Sequence, residues 1–319
     1  MKVANLYGEN VVYSLEVFPP KNGESLDTVF NTIDSLLPFN PAFVSVTGGA
    51  LGSQRGGTIA IAALIKRKYK IEGVVHFTCV DKSKQDIENL LIEMKYNGIE
   101  NVVALRGDPP KGMREFIPHP QGYRYGSDLV AQIKRMNEGK YLTEKEGKYR
   151  EGISTSFCIG VVAYPEGHPE CPDKKKDLEN LKIKVDAGAD YIVTQMFFDV
   201  DIYLEFREKA EKIGINIPIV AGVMPLESYS QAKFCLNQLR IYMPKDLKDT
   251  LENHKEDKMY IGKVCQEHTL SMVEKLIRNE VLGIQFFTMN KPARTYRILQ
   301  KLALEERSKI GPPMFFSNG

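Results

Sequence analysis

Arg106, Gly107 and Asp108 follow the short apolar run Val102–Leu105 and precede Pro109 and Pro110. The run reads as a buried strand, and the two prolines stop regular structure. A buried strand ending in charged residues is how a parallel α/β sheet delivers side chains to a ligand. The same pattern fits a strand end closed by a salt bridge between Arg106 and Asp108, and this stretch alone leaves both readings open. A second acid, Glu16, interrupts the β-branched and aromatic run Val11–Phe18 just ahead of Pro19 and Pro20. A carboxylic acid in such apolar surroundings has its pKa raised and can donate a proton near neutrality.

Other polar residues also fall at the ends of apolar runs. They are Thr47, His76, Tyr164 with Glu166 and His168, Gln195 with Asp199, and Thr288 with Asn290. Isolated polar side chains in apolar strands are costly without partners. So many strand ends of this kind favour a large, polar ligand site. The glycine-rich turn Gly48–Gly57 lacks the Lys-Ser/Thr of a nucleotide phosphate loop. It reads as a flexible turn, or as a place where backbone approaches a ligand closely. Lys182 and Lys184 lie in the first half of the helix expected after His168. Near that helix's positive end, and with His168, they could hold a diphosphate. Solvated surface lysines are the ordinary alternative.

The elements that must position these residues follow from periodicity. Strands are expected at Val11–Phe18, Phe43–Val46, Gly73–Val80, Asn101–Leu105, Phe157–Ala163, Tyr191–Phe197, Ile217–Val223 and Gly283–Thr288. Each is followed by a helical pattern. The third helix starts at Ser83 with Asp86 in its first turn, and the last starts at Pro292. Such alternation implies a parallel sheet, and eight units imply a closed α/β barrel of the (β/α)8 (TIM) type. The open doubly wound sheet is the alternative, but no G-x-G-x-x-G opens a first βαβ unit. The expected organisation is a single barrel over residues 1–319, with extra helix before the last strand. The polar segment 138–156 reads as a surface insertion.

The chain has 319 residues, 43 basic and 41 acidic, for a formal net charge of +2. This balance gives no nucleic-acid footprint. No apolar run reaches the ~20 residues that span a bilayer, and the N-terminal residues lack a signal-peptide core. Five scattered cysteines without a C-x-x-C pair read as reduced thiols in a cytoplasmic protein. His168 and Cys171 have ligand spacing but no evident further ligands, so no metal site is expected.

Seven stretches carry a family resemblance: SLEVFPPK (14–21), FVSVTGGA (43–50), HFTCVDKS (76–83), GIENVVALRGDPP (98–110), YPEGHPE (164–170), KVDAGADYIVTQMFFD (184–199) and FFTMNK (286–291). In this order, and over nearly the whole chain, they resemble methylenetetrahydrofolate reductase in its compact bacterial form. The resemblance implies a (β/α)8 barrel holding FAD without a Rossmann motif. It implies reduction of 5,10-methylenetetrahydrofolate to 5-methyltetrahydrofolate by a ping-pong route, in which a donor reduces the flavin and leaves before folate enters. Glu16 matches the proton donor, Asp108 the carboxylate between flavin and folate, and Gln195 a residue touching both substrates. Thr47, His76, Arg106, Gly107, Asp108, Tyr164, His168, Asp177, Asn180 and Lys184 fall on flavin-contact positions. Glu16, Asp108, Gln195 and Lys291 fall on folate-contact positions.

Three positions depart from the family pattern. Gly48 stands where many relatives have Tyr, Ile183 where an Arg meets the diphosphate, and Lys291 where an Arg meets folate. Lys291 keeps the charge but loses the bidentate fork. The implied partners are folate and either NAD(P)H or a ferredoxin-like protein or partner subunit, in a homo-oligomer or heteromer. The alternative function is a flavin-bearing barrel subunit of a larger electron-transfer complex. The chain carries no iron–sulfur cysteine spacing of its own.

Overall fold

The structure, a computed structural model, describes residues 1–8, 10–48, 56–109, 115–145 and 147–310, with the side chains of 305–310 left aside. Residues 49–55 of the glycine-rich turn and 110–114 of the stretch after Asp108 therefore lie outside the described residues.

The chain begins with a one-turn helix, Val3–Leu6, and continues β1 (Val12–Val17), α1 (Asp27–Leu36), β2 (Phe43–Val46), α2 (Thr58–Tyr69), β3 (Glu72–Thr78), α3 (Lys84–Tyr96), β4 (Asn101–Leu105) and α4 (Gly126–Asn137). Two short strands, β5 (Lys140–Leu142) and β6 (Tyr149–Glu151), precede β7 (Cys158–Ala163), α5 (Lys174–Asp186), β8 (Tyr191–Thr194), α6 (Val200–Lys212) and β9 (Ile219–Val223). Three helices, α7 (Tyr229–Asn237), α8 (Lys245–Asn253) and α9 (Lys258–Arg278), separate β9 from β10 (Gly283–Phe287), and α10 (Pro292–Ile310) follows. Strands β1, β2, β3, β4, β7, β8, β9 and β10 close into a parallel barrel in which β10 pairs with β1. This is the (β/α)8 architecture expected from the strand count, with the extra helices before its last strand.

Side-chain alternation along the strands divides the core in two. Leu15, Val17, Val44, Val46, Val75 and Phe77 face outward into the main core beneath the helices. Phe43, Val74, Val103, Cys158, Tyr191 and Val220 fill the barrel interior. Gly160 makes room there, since a Cβ on it would lie 2.5 Å from the Tyr191 ring. Val3 joins this inner cluster, and its N–H donates to Asn101 Oδ1 at 2.8 Å. The N-terminal turn thus closes the amino end of the barrel. Side chains of the inward parity near the carboxyl end, such as Glu16 and His76, lie at the opposite end of the barrel.

Two features were not legible beforehand. The segment 138–156 carries the antiparallel hairpin of β5 and β6. Its Tyr141 is buried, and Leu142 N–H donates to the carboxylate of Glu88, itself buried on α3. The second is α8, whose few apolar residues include the buried Leu247 and Leu251. These pack with Phe198, Met224, Leu226 and Phe287 into a separate cluster on the carboxyl side of the barrel.

Candidate functional site

Glu16 is buried near the end of β1. Register places Ser45 of β2 beside it on one side and Phe287 of β10 on the other. One oxygen, Oε2, accepts from Gln285 Nε2 at 3.3 Å and lies 3.6 Å from His76 Nε2. Burial pushes the Glu16 pKa up to about 8, against a smaller lowering by the Gln285 hydrogen bond. Burial also pushes His76 down, to about 4. Burial thus favours the neutral form of both groups. The Glu16 backbone is pinned as well. Glu16 O accepts from Thr288 Oγ1 at 2.7 Å, and Asn290 bonds both the N–H and the C=O of Phe18.

A second group of residues forms around the ends of β4 and β7. Arg106 makes a bidentate pair with Glu170, both contacts at 2.7 Å, and its guanidinium lies over the Phe116 ring. The direct fork-to-fork partner of Arg106 is thus Glu170, which follows the neighbouring strand β7. Gly107 has φ +93°, and a Cβ on it would lie 2.8 Å from Val80. Glycine is therefore required where the chain turns off β4, and Asp108 emerges beyond it, exposed.

Tyr164 and His168 follow β7 and pack edge to face, 4.6 Å between ring centroids. Asp177 on α5 accepts the His168 N–H at 3.0 Å. Asp177, Asn180 and Lys184 are three and four residues apart, so they share one face of α5. Lys184 is not a solvated surface lysine. Its Nζ donates to Val162 O of β7 at 2.8 Å, and burial lowers its pKa to about 8. Lys182 points the other way and pairs with Asp186 on the helix exterior.

Gln195 follows β8 and keeps the barrel ladder, its N–H donating to Ala163 O at 2.8 Å. Lys291 stands at the start of α10, 3.4 Å from Glu227. It lines a small cleft with Phe287, Thr288, Gln231 and Arg294. The predicted residues therefore lie on the carboxyl end of one barrel, in three groups: the acid with His76, the Arg106–Lys184 rim, and the Lys291 cleft. Sequence reasoning missed Gln285, Glu170 and Arg294. Gln285 had a signal, a lone amide in the otherwise apolar strand GIQFF.

The sequence profile described as methylenetetrahydrofolate reductase matches residues 2–303. The Escherichia coli protein named 5,10-methylenetetrahydrofolate reductase is 35% identical over 294 residues, covering 91% of this chain and 90% of its own length. The chain belongs to the methylenetetrahydrofolate reductase family. Arabidopsis thaliana methylenetetrahydrofolate reductase (NADH) 1 is 34% identical, covering 93% of this chain and 49% of its own. The chain thus spans about half the length of the plant and yeast relatives it matches. A solved Clostridium thermocellum protein, described as binding two copies of 5-methyl-5,6,7,8-tetrahydrofolic acid, superposes with a TM-score of 0.58 at 13% identity, over 93% of this chain and 96% of that one. At that identity the likeness is one of fold.

Family membership directs attention to the three departures. Gly48 sits where a Cβ would come 3.0 Å from His76 O, so a side chain there would press on β3. Ile183 is exposed on α5, off the face that carries Lys184. Lys291 has the half-buried Arg294 beside it, anchored to Leu226 O at 2.6 Å.

Proposed function

We propose that the protein is a flavoenzyme that reduces 5,10-methylenetetrahydrofolate to 5-methyltetrahydrofolate with FAD. The observation that carries this reading is the neutral, buried Glu16 at the carboxyl end of β1. Opening the methylene bridge requires a proton at the departing folate nitrogen, and a carboxylic acid held protonated at pH 7 can deliver it. Asp108, at the end of β4, faces the cation that ring opening creates and stabilises it electrostatically.

The residues present fit a flavin. Thr47 Oγ1 and His76 Nε2 are buried at the mouth and have no hydrogen-bond partner among the described residues. Buried polar atoms of this kind call for a polar ligand. Lys184 and Arg106 supply cations for a diphosphate, Tyr164 and His168 an aromatic wall, and Asp177 and Asn180 polar contacts from α5. A bound flavin would supply the hydride. The chain's own work is to hold that cofactor, to keep Glu16 protonated and to place Asp108 and Gln195 at the folate.

NADH appears in the names of the Arabidopsis and rice relatives and supports a nicotinamide donor, with a ferredoxin-like or partner-subunit donor as the other case. Among the described residues no helix is long and apolar enough to cross a membrane, and we place the protein in the cytoplasm. We place the whole chain in one barrel domain acting as a homo-oligomer or heteromer.

The test is anaerobic. Purified protein should be yellow, release FAD on heat denaturation, and bleach with NADH, NADPH or reduced ferredoxin. Methylenetetrahydrofolate should then restore the colour, and Glu16→Gln should slow that second step about 10²–10⁴-fold relative to the first. Bleaching only by a partner protein, with no response to folate, would favour the electron-transfer subunit. A colourless protein would sink both readings.

A further inference from the structure

We infer that Gln285 is a positioning residue that fixes which oxygen of Glu16 carries the proton. This rests on the reading of Glu16 as proton donor given above. Gln285 is fully buried in the middle of β10, paired in register with Ser14. An amide has two N–H groups, and both are committed here. Nε2 lies 3.2 Å from Ser45 Oγ and 3.3 Å from Glu16 Oε2.

The direction of these bonds is set by Ser45. Its hydroxyl hydrogen points to Leu15 O at 3.4 Å. A hydroxyl has one hydrogen, so toward Gln285 the Ser45 oxygen accepts, and the Gln285 group facing it is the NH₂. The second N–H of that NH₂ then requires an acceptor at Glu16 Oε2. A protonated carboxyl oxygen is the poorer acceptor, so the acid's hydrogen is placed on Oε1. Oε1 is thereby the oxygen that delivers the proton.

Among the described residues, few other groups face Glu16. From β3 the titratable neighbour is His76, which is neutral and lies on the same Oε2. From β2 come Ser45 and Thr47, and from the end of β10 Thr288, which bonds the Glu16 backbone carbonyl. Gln285 also stabilises the charged form of Glu16. It thereby holds the acid's pKa below the value that burial alone would impose, closer to working pH.

Substitution, kinetics and spectroscopy test this. Gln285→Met keeps the volume and removes both donors. It should slow reoxidation by methylenetetrahydrofolate about ten- to hundredfold relative to flavin reduction, and move the alkaline limb of the reoxidation pH profile upward. In a Glu16→Gln background the same substitution should add no further slowing, because its effect passes through Glu16. Ser45→Ala, which frees the amide to turn over, should give a smaller change in the same direction. Infrared difference spectra across a pH titration, with the Glu16 carbonyl band identified by its loss in Glu16→Gln, should show that band shifted and titrating higher in Gln285→Met. That measurement needs no folate turnover, so it separates this inference from the functional reading. A Glu16 band and a pH profile unmoved by Gln285→Met, or equal slowing in both backgrounds, would overturn the proposal.

Discussion

His76 Nε2 and Glu16 Oε2 face each other at 3.6 Å, each side chain only 10% exposed, and burial drives their pKa values across one another. An acid normally ionised at pH 7 and a base normally half protonated near pH 6.5 are both pushed towards neutrality here. Burial thus works against an ion pair between them.

The first prediction concerns stability. Glu16 has a folded pKa of about 8 against 4.5 unfolded, so between those values the folded state holds a proton that the unfolded state has lost. Stability from this group is full below pH 4.5 and is lost as pH rises towards 8. His76 has the opposite sense: its contribution is full above pH 6.5 and is lost as pH falls towards 4. Glu16→Gln should therefore melt higher than the native protein at pH 8.5, with the gap closing towards pH 5. Each kcal/mol is worth roughly 2–4 °C in a large domain. Melting curves at both pH values check this, and a gap that widens towards pH 5 would contradict it.

Lys184 gives two readouts of opposite sense. Its pKa is lowered to about 8, so at pH 7 the flavin-free protein bears the cost of a desolvated charge. Lys184→Met should raise the melting temperature of the flavin-free protein at pH 7. The gain should shrink as pH rises from 8 towards 10.5. FAD affinity should fall about ten- to hundredfold, the worth of a charge-assisted hydrogen bond. Calorimetry and FAD titration measure the two. Unchanged FAD affinity would remove Lys184 from the cofactor site.

Asp108→Asn tests the anion at the end of β4. A carboxylate beside the flavin opposes the negative charge gained on reduction. The amide should raise the midpoint potential and at the same time slow the folate half-reaction. A packing defect would not move the two in opposite senses. Redox titration and stopped-flow reoxidation measure them, and an unchanged potential with normal folate turnover would make Asp108 a structural surface residue.

The outline of the fold was legible because period-two and period-3.6 patterns are local. Phe43–Val46 and Asn101–Leu105 have the strand bounds expected. Ser83 and Asp86, expected at the start and in the first turn of the third helix, form a reciprocal cap there. Glu16, His76 and Gln195 were legible because a strand's carboxyl end is itself a sequence feature. Partner choice was not. Arg106 is next but one to Asp108 in sequence, yet its fork meets Glu170, 64 residues on, because β4 and β7 are neighbours in the barrel. The hairpin at 140–151 escaped notice because its three-residue strands are mostly exposed and bury one aromatic, Tyr141.

Asn290 carries the last prediction. Its side chain bonds Phe18 N at 2.9 Å and Phe18 O at 2.8 Å, from a left-handed backbone at φ +54° that asparagine tolerates better than most residues. Asn290→Ala should cost about 1–3 kcal/mol through the stranded Phe18 groups and the strained φ. It should also slow the folate half-reaction more than flavin reduction, since Phe18 lies two residues from Glu16. Denaturant titration with half-reaction rates checks it, and a loss of stability with equal slowing of both steps would limit Asn290 to scaffolding.

The β1–β10 seam has a consequence for how the protein is made. Glu16 leaves the ribosome early, whereas Gln285, Thr288 and Asn290, which orient it, are translated about 270 residues later. At about 5–20 residues per second, the nascent chain spends roughly ten seconds to a minute with its first strand lacking the last. During that interval β1 has one neighbour and an open edge, the kind of surface that pairs with other chains. Glu16 therefore gains its orienting partners last, by the same event that closes the barrel. A ribosome stalled before residue 283 would release a chain with most of its helices, a bare β1 edge and Glu16 without Gln285 or Thr288 beside it.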